Sequence, residues 1–270
     1  EDSPFARGRA YIAGYRFMRE HDLKPYIYRT DNYGESWTLL TDGKNGIPID
    51  YPVRVVREDP SQQGLLYAGT EFGMFISFDN GMHWQTFQQN LPNTPVTDIK
   101  VHHKDLVLST MGRSFWIMDN VTLLHALAQR HEMVVRAEAY LFQPREAYRM
   151  RYSASGGRAD LPEYPPPGVY VDYYLAGAPA GELKLEILDG KGNVVRTIAS
   201  AAGGGRAGGA IPAQGRRGGG APTVLPKREW HNRFIWDLRY SGSPAAASPE
   251  TGMAGGGGGG QVVVPGSYQL

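Results

Sequence analysis

Few residues in this sequence stand where chemistry would need them. His102 and His103, followed by Lys104 and Asp105, form the one adjacent histidine pair. Two imidazoles can ligate a metal, but neighbours on a strand point to opposite faces and could not easily chelate one ion. The segment therefore reads as a hairpin tip, and no metal site is expected. Glu71 and Arg113 are a carboxylate and a guanidinium in equivalent loops of two successive repeats. They read either as a pair of solvated loop charges, as most surface charges are, or as a polar rim for a ligand. Asn120-Val121-Thr122 fits a glycosylation acceptor, but an Asn before an apolar stripe is first a helix cap. The chain has no cysteine, which excludes disulfides, thiolate catalysis and cysteine-held metals. It contains no phosphate loop, dinucleotide fingerprint or activated-nucleophile motif, so no cofactor is expected and no catalytic residue can be assigned.

The elements that carry these residues repeat. Thr30-Asp31-Asn32-Tyr33-Gly34-Glu35-Ser36-Trp37 and Ser77-Phe78-Asp79-Asn80-Gly81-Met82-His83-Trp84 share the pattern Ser/Thr-x-Asp/Asn-x-Gly-x-x-Trp, and their tryptophans are 47 residues apart (37 to 84). Thr30, Asn32, Ser77 and Asp79 supply side-chain acceptors for backbone N–H groups within a turn. Gly34 and Gly81 supply the positive φ that a tight turn requires. Trp37 and Trp84 open the next strand and are expected to bury their rings against a neighbouring unit. These eight residues therefore build corners, and no chemistry is expected of them. A weaker third copy lies at an offset of 40: Leu66, Thr70, Phe75, Asp79 and Asn80 recur as Leu106, Thr110, Phe115, Asp119 and Asn120. It breaks where Val121 and Leu124 replace Gly81 and Trp84.

A period of about 40–50 residues made of short strands is what a four-stranded β-propeller blade requires. The expected fold is all-β: a partial propeller of about three blades over residues 1–120, a helical linker over 121–136, and an immunoglobulin- or fibronectin-like β-sandwich over 137–270. The blade strands are expected at 11–15, 26–29 and 37–40; at 53–57, 65–69, 74–78 and 84–87; and at 96–101, 106–110 and 114–118, the last blade lacking an outer strand. Asn120 caps a helix whose Val121, Leu124 and Leu127 share a stripe. Sandwich strands are expected at 139–142, 169–175, 183–188, 194–198, 233–240 and 267–270, with the Gly-rich hairpin 189–193 between two of them.

Composition limits the partners. Of 270 residues 41% are apolar, and the formal net charge is +1. Such a balance gives no long-range field to draw in nucleic acid. No apolar run approaches a membrane span. Residues 1–4 do not read as a signal peptide; a removed leader, or a start within a longer product, is expected. Much of the glycine lies in two tracts, 203–220 and 255–260, which read as long surface loops, and 164–168 as a stiff proline-rich lead into a strand.

The octets, together with Leu65–Gly73, Gly112–Asp119, Asn232–Tyr240 and Val264–Tyr268, resemble bacterial BNR or Asp-box repeat proteins, the sortilin-like, VPS10-like and glycosyl hydrolase-like group. The resemblance implies a site outside the cytoplasm, periplasmic or secreted. It is weaker for function, because Asp boxes occur in sialidases, xyloglucanases, sorting receptors and non-enzymes alike. Sialidase-type catalysis would need an arginine triad, a Tyr/Glu nucleophile pair and an acid, and no residue here can be matched to that set one by one. Xyloglucanase-type catalysis needs two carboxylates across a cleft. Glu58, Asp59, Glu71 and Asp119 are candidates, though Glu58-Asp59-Pro60 reads as a turn and Asp119 as a degenerate corner. The expected function is a non-catalytic interaction or scaffold protein, a subunit or segment of a larger assembly. Its open propeller edge would be covered by a protein partner or by further blades upstream, with a glycan as an alternative ligand. The second reading is the C-terminal part of a BNR-repeat glycoside hydrolase whose catalytic blades lie upstream.

Overall fold

A computed structural model describes residues 1–148, 167–201, 224–241 and 260–270. The protein is mostly β, with few helices, in several small antiparallel sheets of which none closes on itself among the described residues. The chain divides into two units, Glu1–His131 and Glu132–Leu270.

The first unit holds three sheets in sequence. β1 (Ala10–Gly14), β2 (Tyr26–Thr30) and β3 (Thr38–Leu39) form the first. β4 (Val53–Glu58), β5 (Leu66–Thr70), β6 (Gly73–Ser77) and β7 (Gln85–Thr86) form the second, and β8 (Val96–His102), β9 (Asp105–Thr110) and β10 (Phe115–Met118) the third. A short helix, α1 (Phe17–Glu20), absent from the sequence expectation, sits between β1 and β2. β5 and β6 are buried at every position, because the second sheet is covered on both faces. One face packs on the first sheet through Tyr11, Ile27, Leu40, Phe75 and Trp84. The other packs on the third through Tyr67, Met74, Ile76, Ile99 and Leu106. Strands covered on both faces read as continuous apolar runs, and strands covered on one face alternate. β10, with its exposed–intermediate pattern, is of the second kind.

The strand registers show which positions are equivalent. Thr30 and Ser77 open the two octets, and they pair with Ala10 and Leu66. Ile12 and Tyr28 of the first sheet therefore stand where Ala68 and Phe75 stand in the second. The first residues of the chain extend this match. Asp2 bridges Ala10, and Tyr11 N–H donates to Glu1 O at 2.8 Å, so Glu1–Ser3 lies beside β1 as the end of β4 lies beside β5. The second and third sheets also share a β-bulge: the register slips between Val53 and Val55 in β4 and between Val96 and Asp98 in β8.

Two expectations for the repeats need correction. The third copy does not keep its offset of 40. Leu106 pairs with Met118 where Leu66 pairs with Ser77, so the offset is 40 at β9 but 41 at β10. The β9–β10 hairpin carries one more residue than the β5–β6 turn. Because strand side chains alternate, a one-residue slip reverses the face of every residue beyond it. Trp116, not Phe115, thus occupies the place of Phe75; Phe75 is 4% exposed and Phe115 is 76% exposed. The other correction concerns the two tryptophans. Trp84 is 4% exposed, but Trp37 is 41% exposed, because Trp84 has the first sheet to pack on and Trp37 has no sheet beyond it among the described residues. Neither belongs to a strand; each precedes one.

After β10 the chain enters α2 (Thr122–Arg136), which breaks from helical geometry at Arg130. Asn120 Oδ1 accepts from Thr122 N at 3.1 Å and from Thr122 Oγ1 at 2.7 Å. Val121 and Leu124 are buried, and Leu127 is half-buried.

In the second unit β11 (Ala139–Leu141), β12 (Val169–Leu175) and β15 (Trp230–Trp236) form one sheet. β14 (Val194–Ala199), β13 (Lys184–Asp189) and β16 (Tyr268–Gln269) form another. Val171, Leu175, Ile187, Ile198, Phe234 and Trp236 of the two sheets share one core. The strand expected at 233–240 begins instead at Trp230 and ends at Trp236. The 203–220 tract, residues 255–259 of the second Gly-rich tract and residues 164–166 of the proline-rich stretch lie outside the described residues.

Candidate functional site

The strongest cluster of functional groups in the first unit joins three elements. Arg54 is the extra residue of the β4 bulge. Bulges re-aim side chains and recur beside functional sites, and this one directs a guanidinium at the turn after β5. Arg54 Nε donates to Glu71 Oε1 at 2.6 Å, and Arg54 Nη2 donates to Tyr15 Oη at 3.2 Å. The Tyr15 hydroxyl donates to the same Glu71 oxygen. The Arg54 guanidinium also lies 4.6 Å from the centroid of the Tyr15 ring, a cation–π contact. Burial raises the Tyr15 hydroxyl above its ordinary pKa, and the hydrogen bond to Glu71 raises it further. Tyr15 is therefore a held phenol that donates, and its charged form is disfavoured in this setting. Beside the cluster an open groove of about 450 Å³ runs between β1, β4 and β8, with Ile12, Ala13, Arg54, Arg57, Thr97 and Asp98 on its walls. Arg57 Nη2 bonds Asp98 Oδ1 at 2.7 Å within it.

This cluster changes the expectation for Glu71. Its carboxylate is not a solvated loop charge, and it does not face Arg113. Arg113 is exposed in the β9–β10 hairpin, where its carbonyl accepts from Trp116 Nε1 at 2.8 Å. No ion pair or hydrogen bond joins Arg113 to Glu71 among the described residues. Tyr15 and Arg54 had no signal in the sequence, because nothing in a single chain pairs a strand end of one sheet with a bulge of the next.

The other carboxylates have structural partners. Glu58 Oε1 accepts from Gly64 N at 2.9 Å, while Oε2 is buried without a partner among the described residues. Asp59, fully buried, accepts from Tyr67 Oη at 3.1 Å and from Ser61 N at 2.8 Å, and lies 2.8 Å from His125 Nε2. It thereby ties α2 to the turn after β4. Asp119 follows β10.

The two octets are built alike. Thr30 Oγ1 accepts from Gly34 N at 2.9 Å, as Ser77 Oγ does from Gly81 N at 2.9 Å. Asn32 Oδ1 accepts from Ser36 N at 3.0 Å, as Asp79 Oδ1 does from His83 N at 2.9 Å. Gly34 and Gly81 have φ of 92° and 86°. Burial pulls the Asp79 carboxyl up, but hydrogen bonds from His83 and Ser77 outweigh it and hold the group below its usual range. Asn in place of Asp at position 32 makes the same backbone bond.

His103 lies in a left-handed turn with φ of 49°, not in a strand, so its ring meets that of His102 edge-on at 4.2 Å. The opposite-face argument fails for that reason. Even so, no group of three potential ligands placed to hold a metal ion occurs among the described residues. Nor does any described helix have the length and apolarity to cross a membrane. No family model matches the chain, and no curated protein matches it.

Proposed function

We propose that this chain is a non-catalytic interaction or scaffold module of the Asp-box type, working outside the cytoplasm as part of a larger assembly. In this reading the three sheets of the first unit are propeller blades and the two sheets of the second are an immunoglobulin-like sandwich. The matching octet bonds, the shared bulge of β4 and β8 and the common core of the second unit support that architecture. The observation that carries the function is the apolar character of the outer faces. Ile12 and Leu39 on the first sheet, and Phe115 and Ile117 on the third, are exposed. Exposed apolar groups gathered on one face mark interaction surfaces. Binding of an apolar-sensitive dye by the folded chain, reduced by Phe115→Ser with Ile117→Ser, is the expected result. A dye-negative wild type would remove the reading.

One observation favours the second reading, a BNR-repeat glycoside hydrolase. Tyr15, Glu71 and Arg54 form a Tyr–Glu pair with an arginine on it. Against this, Glu71 is neutralised by Arg54, and the phenol is shifted away from ionisation. Hydrolysis of aryl sialosides or aryl glucosides that Glu71→Gln abolishes would establish the enzyme reading over the scaffold one.

A further inference from the structure

Trp230 opens β15 in a conformation that few side chains adopt. Its φ is 74°, a left-handed value that is a genuine outlier for a residue of this size. Strain of this kind persists only where the surroundings impose it, and it gathers at ligand sites. The imposing group is Asn232, which is 2% exposed. Its Oδ1 accepts from Arg228 N at 3.0 Å, and its Nδ2 donates to Arg228 O at 2.7 Å and to Trp230 O at 3.3 Å. One buried amide thus clamps the residues that lead into the strand. Trp230 pairs with Leu175, and His231 with Tyr174. Paired residues share a face and successive ones alternate, so by register Trp230 belongs with Leu175, which lies in the core. The indole is instead 61% exposed, and its ring lies 6.0 Å from that of Tyr174, tilted by 57°. The positive φ therefore takes an indole out of the core and sets it beside a tyrosine at the surface. His231, also exposed, is the third ring of this corner. Its Nε2 lies 2.7 Å from Asp172 Oδ1, and the same carboxylate accepts from Arg233 Nε at 2.7 Å and from Arg233 Nη2 at 3.1 Å. A carboxylate held by a guanidinium only accepts, so Nε2 carries the proton and Nδ1 of the neutral ring is an acceptor. That nitrogen has no partner among the described residues.

We propose that Trp230, Tyr174 and His231 bind a pyranose unit of a neutral glycan, the sugar ring stacking on the indole while one of its hydroxyls donates to His231 Nδ1. Three features select a sugar over a protein. The chain that runs into Trp230 is Lys227, Arg228 and Glu229, so the rings stand in a polar setting and not in a broad apolar patch of the kind that docks a protein. The indole is clamped before anything binds, and a group already held loses little freedom on stacking. The polar atom beside the rings is an acceptor, which suits a hydroxyl. A β-glucosyl unit has all its hydroxyls equatorial, so it presents C–H groups on both faces and O–H groups around its rim. That is the shape a flat aromatic surface with an acceptor at its edge receives. The site lies wholly within the second unit and uses none of the exposed faces of the first, so it stands or falls apart from the scaffold reading.

Titration of the full chain with cellohexaose and with laminarihexaose, followed by calorimetry and tryptophan fluorescence, tests it. Covering an exposed indole should shift the emission to the blue in the wild type. Calorimetry should show binding lost in Trp230→Ala and about tenfold weaker in Tyr174→Ala, the effect of losing one aromatic contact. His231→Phe keeps a ring and removes the acceptor, and should bind severalfold more weakly. Trp230→Gly separates binding from folding, because glycine adopts a φ of 74° without strain. It should unfold in urea near the wild-type midpoint and lose the sugar. A clearly lower midpoint would mean that the indole is there to pack, and that result overturns the proposal. Neither heat nor a spectral shift with either sugar also overturns it. So does self-association that depends on Trp230 in a chain that binds no sugar, since the rings would then form a protein contact.

Discussion

Replacing Trp84 by alanine, and separately Trp37, tests whether the two octets are equal in chemistry but unequal in setting. An aromatic side chain of this class buries about 150–250 Å² when covered. At about 25 cal/mol per Å², near-complete cover of Trp84 corresponds to about 5 kcal/mol. Cover of little more than half of Trp37 corresponds to about 3 kcal/mol. Both are upper bounds, because the unfolded chain already hides part of its apolar surface. Two further terms act at Trp84 alone. Its removal leaves a cavity between Leu40, Phe75 and their neighbours from two sheets, which adds to the loss. Opposing this, its indole Nε1 is buried without an acceptor among the described residues, a deficit of about 1–3 kcal/mol that alanine relieves. The expected costs are about 4 kcal/mol for Trp84→Ala and about 2 kcal/mol or less for Trp37→Ala, with Trp84→Phe close to neutral. Urea unfolding followed by circular dichroism at low protein concentration reads all three. An equal loss at the two positions, or a larger one at Trp37, would refute the argument that the first sheet packs on the second through one octet only.

Gly46→Ala should prevent the first unit from folding in its native form: φ is 118° there, and an added Cβ would stand 1.8 Å from the Trp84 carbonyl oxygen. Loss of the cooperative unfolding transition is the readout. Glu71→Gln leaves the Arg54 guanidinium largely buried beside a neutral partner and should cost about 2 kcal/mol in urea unfolding; a neutral result would mean the cluster is wetter than its geometry. Burial pushes the Asp172 carboxyl up, but hydrogen bonds from His231 and Arg233 hold it below its usual range. A carboxyl depressed on folding stabilises above its unfolded pKa of about 3.9 and loses that contribution as pH falls through the folded value. Stability of the second unit should therefore drop below about pH 4, and Asp172→Asn should flatten that drop. Trp116→Ala should cost about 2 kcal/mol and Phe115→Ser almost nothing in the isolated chain; the reverse order would reinstate the offset of 40 along β10.

The corners of this fold were legible because their chemistry is local. A small hydroxyl, an amide or carboxylate two residues on and a glycine two residues further satisfy one another within a single turn, so the octets could be read without tertiary knowledge. The strands, apart from the one expected at 233–240, were legible to within a residue or two for the same reason, from alternation and runs. What escaped depends on parity and on contacts between sheets. Five coincidences at one offset fixed the third copy but not its phase, and a single hairpin residue turned Phe115 outward. Tyr15, Arg54 and Glu71 come from a strand end, a bulge and a turn, and no spacing rule brings such residues together. α1 is four residues long, too short for any periodic signal, and is closed at its end by His21 N–H bonding Phe17 O at 3.0 Å.

The end of the third sheet shows one local device doing two jobs. In the second octet Asp79 uses a side-chain oxygen to hold the backbone N–H of His83, and the chain turns into β7. Counting by the register along β10, Asn120 stands at the Asp79 position, and its oxygen holds the N–H of Thr122. The acceptor is the same, but no glycine follows to open a hairpin. Val121 and Leu124 come next, and a backbone held at its first N–H groups with apolar residues spaced along one face continues as a helix. Those two side chains enter the core between the second and third sheets. His125 and Gln129 then fasten the helix to Asp59 and Gln62 in the β4–β5 turn, at 2.8 and 2.7 Å. The helix thus covers apolar surface of the last sheet from one side, while β10 has an edge that no strand pairs with among the described residues, and an outward apolar face. Where the second octet has its glycine and tryptophan the third copy thus runs into a helix, while the extra residue of the β9–β10 hairpin, a separate change, turns Phe115 and Ile117 outward.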